Sequence, residues 1–398
     1  FYSQCMNIGF FCQNKNLNNK STLTFRRRIK EDEKQEYEKT MNDAFNYLGI
    51  KNRALIVHGS SFPDKIDNSE KNISPNFTVS HIIGKNPFFG TPYMAKEFTD
   101  FAKMNGFNSI QLGPSGKLNK RDPSPYHSSV FAKNELFLDF DKLKTNEYAN
   151  ILSDKDFSEI KIIKEKNNTN YDMVDFDEAQ AISKIIIDKS YNNFKTKLKS
   201  GNTKALILNK QFEDFKEKNE YWLDKDSVFR LLSDIHGTDD FNKWDNKLDK
   251  NIISLMDNNV EEAWIRFDQI KTRPDSKEKT EKYKFVQFLV DKQEKEDKSN
   301  RKKDGIKYIG DLLVGFSFAD EWANPGAFLN DWRVGAPDGG KNGIRIPHHG
   351  GAGAPHRRGL PGHRPVAPGR GEILPPGLQG LRGQHFLRLQ RLLPPGDG

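Results

Sequence analysis

Cysteine is nearly absent from this chain of 398 residues, which carries only Cys5 and Cys12, close together near its start. Two thiols build neither a disulfide framework nor a cysteine-based metal site, so both read as reduced thiols of a cytoplasmic protein, with no metal and no cofactor expected. Long apolar runs are missing too. Hydrophobic residues make up 35% and charged residues 30%, and no stretch approaches the length that spans a bilayer, so no membrane partner is expected. Phe1 to Asn14 lacks both a basic n-region and a small-residue cleavage site, and is expected to be a chain with a missing start, not a signal peptide. Asn72, Asn76 and Asn167 head glycosylation-type triplets, which carry little weight without a secretion signal. Internal repeats are absent.

One-signed charge is also missing from most of the chain. The net charge of +8 is uneven: from Ile344 onward there are eight Arg, no Lys, and only Glu372 and Asp397 as acids. That segment carries +6 and the remaining residues only +2. The main body intersperses Lys with Asp and Glu as a solvated surface does, without the basic stripe and interleaved aromatics of a nucleic-acid binder. Upstream of Gly340, Lys and Asn abound; beyond Ile344 neither occurs, and twelve Gly and nine Pro leave no helical or alternating period. Such a tail is disordered if natural. Its residues favour GC-rich codons, and the expectation is a shifted reading frame or a mis-joined gene end.

The hydrophobic periods that are present outline an α/β chain. A charged helix over Ile29–Leu48 presents Met41, Ala44, Phe45 and Leu48 on one face and stops at Gly49. A short strand, Arg53–Val57, runs into the polar loop His58–Pro63. Thr91-Pro92 starts a helix as N-cap and first helical residue; Ala95, Phe98, Phe101 and Ala102 form its apolar face, Gly106 closes it, and Phe107–Leu112 follows as a strand. Helices are expected at Asp177–Lys199, Lys204–Asn219, Lys225–Ile235, Val260–Ile270 and Lys279–Lys298. The mostly apolar Ile306–Ile309 then resumes the strand pattern and ends in Gly310-Asp311, a carboxylate where a β/α barrel keeps its active site.

The expected fold is a partial (β/α)8 TIM-type barrel with a largely helical inserted subdomain and an irregular C-terminal tail. Its divisions are residues 1–52 (N-terminal helical extension), 53–142 (first barrel strands and helices), 143–303 (helical insertion), 304–342 (barrel strand with Asp311 and rim) and 343–398 (tail). Three clusters could carry chemistry: the loop Gln111–Gly116, the stretch Arg121–Asn134 with Ser124-Pro125-Tyr126, and Gly305–Phe328 with Asp311 and Trp322. Singly, each has an ordinary explanation: a turn with a packed aromatic, a helix cap, a core tryptophan.

Taken in order they resemble a known family. The motifs are His58-Gly-Ser-Ser-Phe-Pro63, Gly106-Phe107, Gln111-Leu-Gly-Pro114, and Ser124-Pro-Tyr126 with Phe131-Ala-Lys-Asn134 and Asp139. They continue with Trp222-Leu-Asp224, the helix from Phe285 to Gln293, Gly305–Asp311 and Glu321-Trp-Ala-Asn-Pro325. From about His58 to Gly340 the chain is similar to bacterial 4-α-glucanotransferases (amylomaltases or disproportionating enzymes, glycoside hydrolase family 77). It departs from their pattern at Leu313, where Pro is usual, and over Gly315–Ala319, where the rim is usually acidic and Ser-rich.

The resemblance implies cleavage and re-formation of α-1,4 bonds with retention, one carboxylate acting as nucleophile and another as acid/base. A sugar hydroxyl replaces water as acceptor, so the partners are malto-oligosaccharide or α-glucan donor and acceptor. Carried over by residue, Tyr126 stacks or hydrogen-bonds near the cleaved linkage, Asp311 holds sugar hydroxyls or neighbouring groups, and Ser124 and Trp322 complete the substrate-binding set. None of these is the nucleophile or acid/base, whose motifs fall beyond the point where the chain leaves the pattern; the likeness of Gly-Ile-Arg345-Ile-Pro347 to the nucleophile strand is a chance one, with Pro347 where the Asp would stand. No catalytic residue is therefore assigned, and an inactive glucanotransferase is expected. The alternatives are a glucan-binding pseudoenzyme and a scaffold whose Arg-rich tail binds anions. A barrel without its later strands also leaves an open sheet edge, with poor solubility as the consequence.

Overall fold

The computed structural model describes residues 31–57, 80–81, 84–85, 96–120, 122, 124–156 and 176–328. Cys5, Cys12, the His58–Pro63 loop, the Thr91-Pro92 helix start and the tail from 343 lie outside the described residues. In chain order the main elements are α1 (Glu31–Tyr47), β1 (Ala54–Val57), β2 (Ser80–His81), β3 (Gly84–Lys85), α2 (Lys96–Met104) and β4 (Ser109–Leu112). There follow α3 (Phe176–Lys199), α4 (Thr203–Ile235), α5 (Lys247–Asp257), α6 (Glu261–Thr272), α7 (Pro274–Lys303), β5 (Lys307–Ile309) and α8 (Phe318–Ala323). Among the described residues no helix is long and apolar enough to cross a membrane.

β1, β4 and β5 form one parallel sheet in that order, with Ile56 beside Gln111 and Gln111 beside Ile309. Strand, helix and parallel neighbouring strand make β1–α2–β4 an α/β unit. On one sheet face Leu55, Val57, Ile110 and Ile306 pack with Ala102 of α2 into a small core. Alternation turns the next residues to the opposite face, where Ile56 is 71% and Ile309 41% exposed. Of the mostly apolar run before Asp311, Ile306 is buried, but Lys307 and Ile309 are exposed, because they turn to the sheet face that α2 does not cover.

The bulk of the fold is helical. α4 runs unbroken through 33 residues, although the sequence suggests two helices. Asn202 caps its start by accepting from Ala205 N. No Gly or Pro interrupts it, and the buried pair Trp222 and Leu223 carries it through the expected gap. Its first half presents Ala205, Leu208, Phe212 and Phe215 to one core; its second half presents Val228, Phe229, Leu231 and Leu232 to another. In the first core Phe285 of α7 stacks on Phe194 at 4.4 Å and meets Phe212 edge-on at 5.4 Å. α5 is absent from the expectations, yet Asn246 caps it through Leu248 N and Asp249 N, and Ile252, Ile253 and Met256 form its buried face.

Packing does not divide the chain at 142/143. Ala132, Leu136, Phe137, Leu138 and Phe140 share the first core with α3, α4 and α7, and Ala319, Trp322 and Ala323 of α8 share the second. Both chain segments that flank the helical block are docked onto it.

Candidate functional site

The site lies beyond the C-terminal ends of β4 and β5, where parallel sheets bind their ligands. After β4 the chain folds back on itself. Gly116 bridges Lys133 antiparallel, Lys117 N donates to Ala132 O at 2.7 Å and Ser129 N to Lys117 O at 2.9 Å. A Cβ at Gly116 would lie 2.0 Å from Ser129 O, so only glycine permits this approach.

The returning strand is held by two buried glutamines of α7. Gln287 accepts from Lys133 N at 2.7 Å and donates to Lys133 O at 3.0 Å. Six residues on, Gln293 accepts from Asp139 N at 2.8 Å and donates to Asp139 O at 2.9 Å. Each amide imitates a neighbouring strand and satisfies backbone groups that have no ladder of their own. In the sequence, the signal of this clamp is the paired spacing, 133 to 139 and 287 to 293.

Within the fold-back, Pro125-Tyr126-His127 form a single 3-10 turn with Pro125 in its first turn. Ser124 precedes it as N-cap but makes no capping bond through its side chain; its N–H donates to Asp122 Oδ1 at 3.0 Å. Asp122 Oδ2 lies 3.1 Å from His127 Nδ1, and Asn119 Nδ2 donates to His127 O at 2.8 Å. The turn is therefore fixed from within and leaves the Tyr126 ring 38% exposed.

Tyr126 Oη donates to Asp311 Oδ2 at 3.0 Å, joining residues 185 positions apart. That bond, and the charge beside it, raise the phenol above its ordinary value. The backbone repeats the connection: Val314 N and Gly315 N both donate to Tyr126 O, at 3.2 and 3.0 Å. A methyl at Gly315 would stand 2.7 Å from His127 Cδ2, so the residue that departs from the usual rim pattern lets the two segments close. Asp311 Oδ1 accepts Leu312 N at 2.9 Å. Together the pair offers an exposed aromatic edge and a carboxylate with lone pairs for hydroxyl donors.

Trp322 does not join this pair. It is 3% exposed, packs against Phe229 and Trp244, and donates Nε1–H to Asp249 O at 3.0 Å. Its place is the second helical core, because α8 turns its apolar side onto α4 and α5. The neighbouring Asp320, which belongs to none of the sequence motifs, ties the rim together. It accepts from Ser317 Oγ at 2.6 Å and Ser317 N at 3.2 Å in a capping box, and from Ser129 Oγ and Val130 N across the gap, at 3.1 Å each. Burial pushes its carboxyl up to about 6, against the bonds from Ser317, Val130 and Ser129. Among the described residues no three His, Cys, Asp or Glu side chains gather as a metal site requires.

Residues 85–340 match the 4-alpha-glucanotransferase family of glycoside hydrolase family 77. A 4-alpha-glucanotransferase of Clostridium butyricum is 31% identical over 254 residues, covering 63% of this chain and 46% of the relative. Another, of Thermus thermophilus, is 27% identical over 240 residues, covering 60% and 41%. The chain thus spans less than half the length of these curated relatives. In three dimensions it resembles the amylomaltase of Streptococcus agalactiae solved with acarbose, at TM-score 0.51 and 20% identity, over 70% of this chain and 47% of that one. That likeness concerns the fold.

Proposed function

The chain belongs to the 4-alpha-glucanotransferase family, and from that premise we propose that it forms the glucan-binding rim of an enzyme that transfers α-1,4-glucan segments between malto-oligosaccharides. The three parallel strands are read as consecutive staves of a (β/α)8 barrel. The reaction is a retaining double displacement: a carboxylate attacks the anomeric carbon, an acid protonates the departing oxygen, and a second sugar hydroxyl displaces the enzyme. The observation that carries the reading is the Tyr126–Asp311 hydrogen bond of 3.0 Å at the mouth of the sheet. It fixes a flat apolar ring beside a hydroxyl acceptor, the combination that a pyranose, with apolar faces and polar edges, demands.

In this reading Tyr126 supports the sugar next to the cleaved linkage and Asp311 accepts its hydroxyls, with Ser124 supporting the turn that carries Tyr126. Trp322 is left out, since its ring is buried. The nucleophile and acid/base are assigned to no residue of this polypeptide, whose only acids beyond Ile344 are Glu372 and Asp397. In this reading the polypeptide binds glucan without turning it over. Incubation with maltotriose should yield no glucose and no longer oligosaccharides, while calorimetry with maltoheptaose should register binding that Tyr126→Ala weakens about tenfold. Transfer by the unaltered chain would overturn the assignment of the catalytic carboxylates, and an absence of binding would overturn the rim.

A further inference from the structure

A second cleft, of about 530 Å³, lies between the fold-back at 117–120 and 134–136 and helices α3, α4 and α7; neither Tyr126 nor Asp311 lines it. Its volume suits a small ligand, and charged side chains of both signs stand among the apolar residues that line it. Each lining carboxylate already has a cation: Glu135 pairs with Lys117, Asp188 with Lys282, and Asp234 with Lys120 at 2.7 Å. Asp239 accepts Lys120 N at 2.6 Å and faces Arg230 Nη1 at 3.8 Å.

What remains is a surplus of donors. Lys184 and Lys279 line the cleft and make no ion pair among the described residues. Arg230 is ion-paired with Asp226 at 3.5 Å and Asp239 at 3.8 Å, yet its buried Nε and Nη2 make no hydrogen bond. Ser183 is 3% exposed and its Oγ is equally unpartnered. Buried polar groups left unpaired cost free energy and commonly mark a missing partner. Two ammonium groups, a guanidinium and a hydroxyl call for an anion with several oxygens, and phosphate is the group that such donors recognise.

The same wall carries unpartnered acceptors as well: Asn119 Oδ1, Glu135 Oε2 and Asp239 Oδ1. An inorganic anion would leave them unmet, and a neutral oligosaccharide would leave the cations unmet. A ligand with a phosphate at one end and hydroxyls at the other answers both sets. We propose that this cleft binds a phosphorylated sugar, its phosphate on Lys184, Lys279, Arg230 and Ser183, and its hydroxyls on Asn119, Glu135 and Asp239. The proposal does not depend on the glucan reading of the rim, which uses other residues.

Isothermal titration of the full chain with glucose 6-phosphate, glucose, inorganic phosphate and maltoheptaose tests it. Glucose 6-phosphate should bind at least about tenfold more tightly than glucose or inorganic phosphate, with affinity falling as salt is raised. The double substitution Lys184→Ala/Lys279→Ala, at two exposed positions that leave the core intact, should weaken glucose 6-phosphate roughly tenfold and leave maltoheptaose binding at Tyr126 unchanged. Ser183→Ala should weaken glucose 6-phosphate in the same direction. Equal affinity for glucose and glucose 6-phosphate would overturn the proposal, as would competition between maltoheptaose and glucose 6-phosphate for one site, or an unaltered affinity in the double variant.

Discussion

At the scale of single residues, Tyr126 and Asp320 behave differently because one is exposed and the other enclosed. Tyr126→Phe removes one bond, to Asp311, from a surface where water replaces it, so its cost in stability should be about 0.5 kcal/mol. Glucan affinity should fall less than with Tyr126→Ala, since the ring remains. Asp320 has no such substitute. Its carboxyl rises from 3.8 to about 6 on folding, so between those values the folded chain holds a proton that the unfolded chain has released. Stability must then decrease as pH climbs through that window and level off above it, by about 3 kcal/mol for this group alone. Thermal unfolding from pH 4 to 7 should show the decline, and Asp320→Asn should flatten it. Asp139, also raised to about 6 by burial, keeps a residual slope in that variant. The sequence brought out Tyr126 and Asp311 because their motifs are local and ordered. It could not separate Trp322 from the rim, since its burial depends on Phe229 and Trp244, far away in the chain.

Among elements, α3, α6 and α7 were legible from their apolar stripes, α6 and α7 without any side-chain cap, while the capped but shorter α5 was not expected. α4 was read as two pieces because Asn219 and Glu220 interrupt its stripe; what decides continuity is the absence of Gly and Pro, and the side chains there simply change from one core to the other. The fold-back after β4 was beyond reach of any periodicity, because side-chain amides and a single glycine hold it. Two substitutions probe it. Gly116→Ala drives a methyl into Ser129 O and should cost about 1–3 kcal/mol or more, read as a lower melting temperature. Gln293→Leu strands Asp139 N and O in a buried site and should cost about 1–3 kcal/mol for each unpaired group. Amide exchange should speed up over 131–139 first in the Gln293→Leu variant.

For the molecule as a whole, the α/β class and the helical block were legible, while the way they join was not. The divisions drawn at 142/143 and 303/304 follow the strand pattern, whereas the cores run across both. The sheet itself has one face covered by α2 and one on which Ile56 and Ile309 meet solvent, a surface that invites association. Ile56→Glu should raise the soluble fraction and lower binding of a hydrophobic dye, with a stability change within about 0.5 kcal/mol. A loss of folded protein would mean that this face is covered. Time on the ribosome gives the sheet a further consequence. β4 acquires β5 only after roughly 200 more residues have been synthesised, which at about 5–20 residues per second takes about 10–40 s. Throughout that interval the α-helical block can collapse while the β4 edge waits open, and a nascent chain caught there is a natural client for a chaperone.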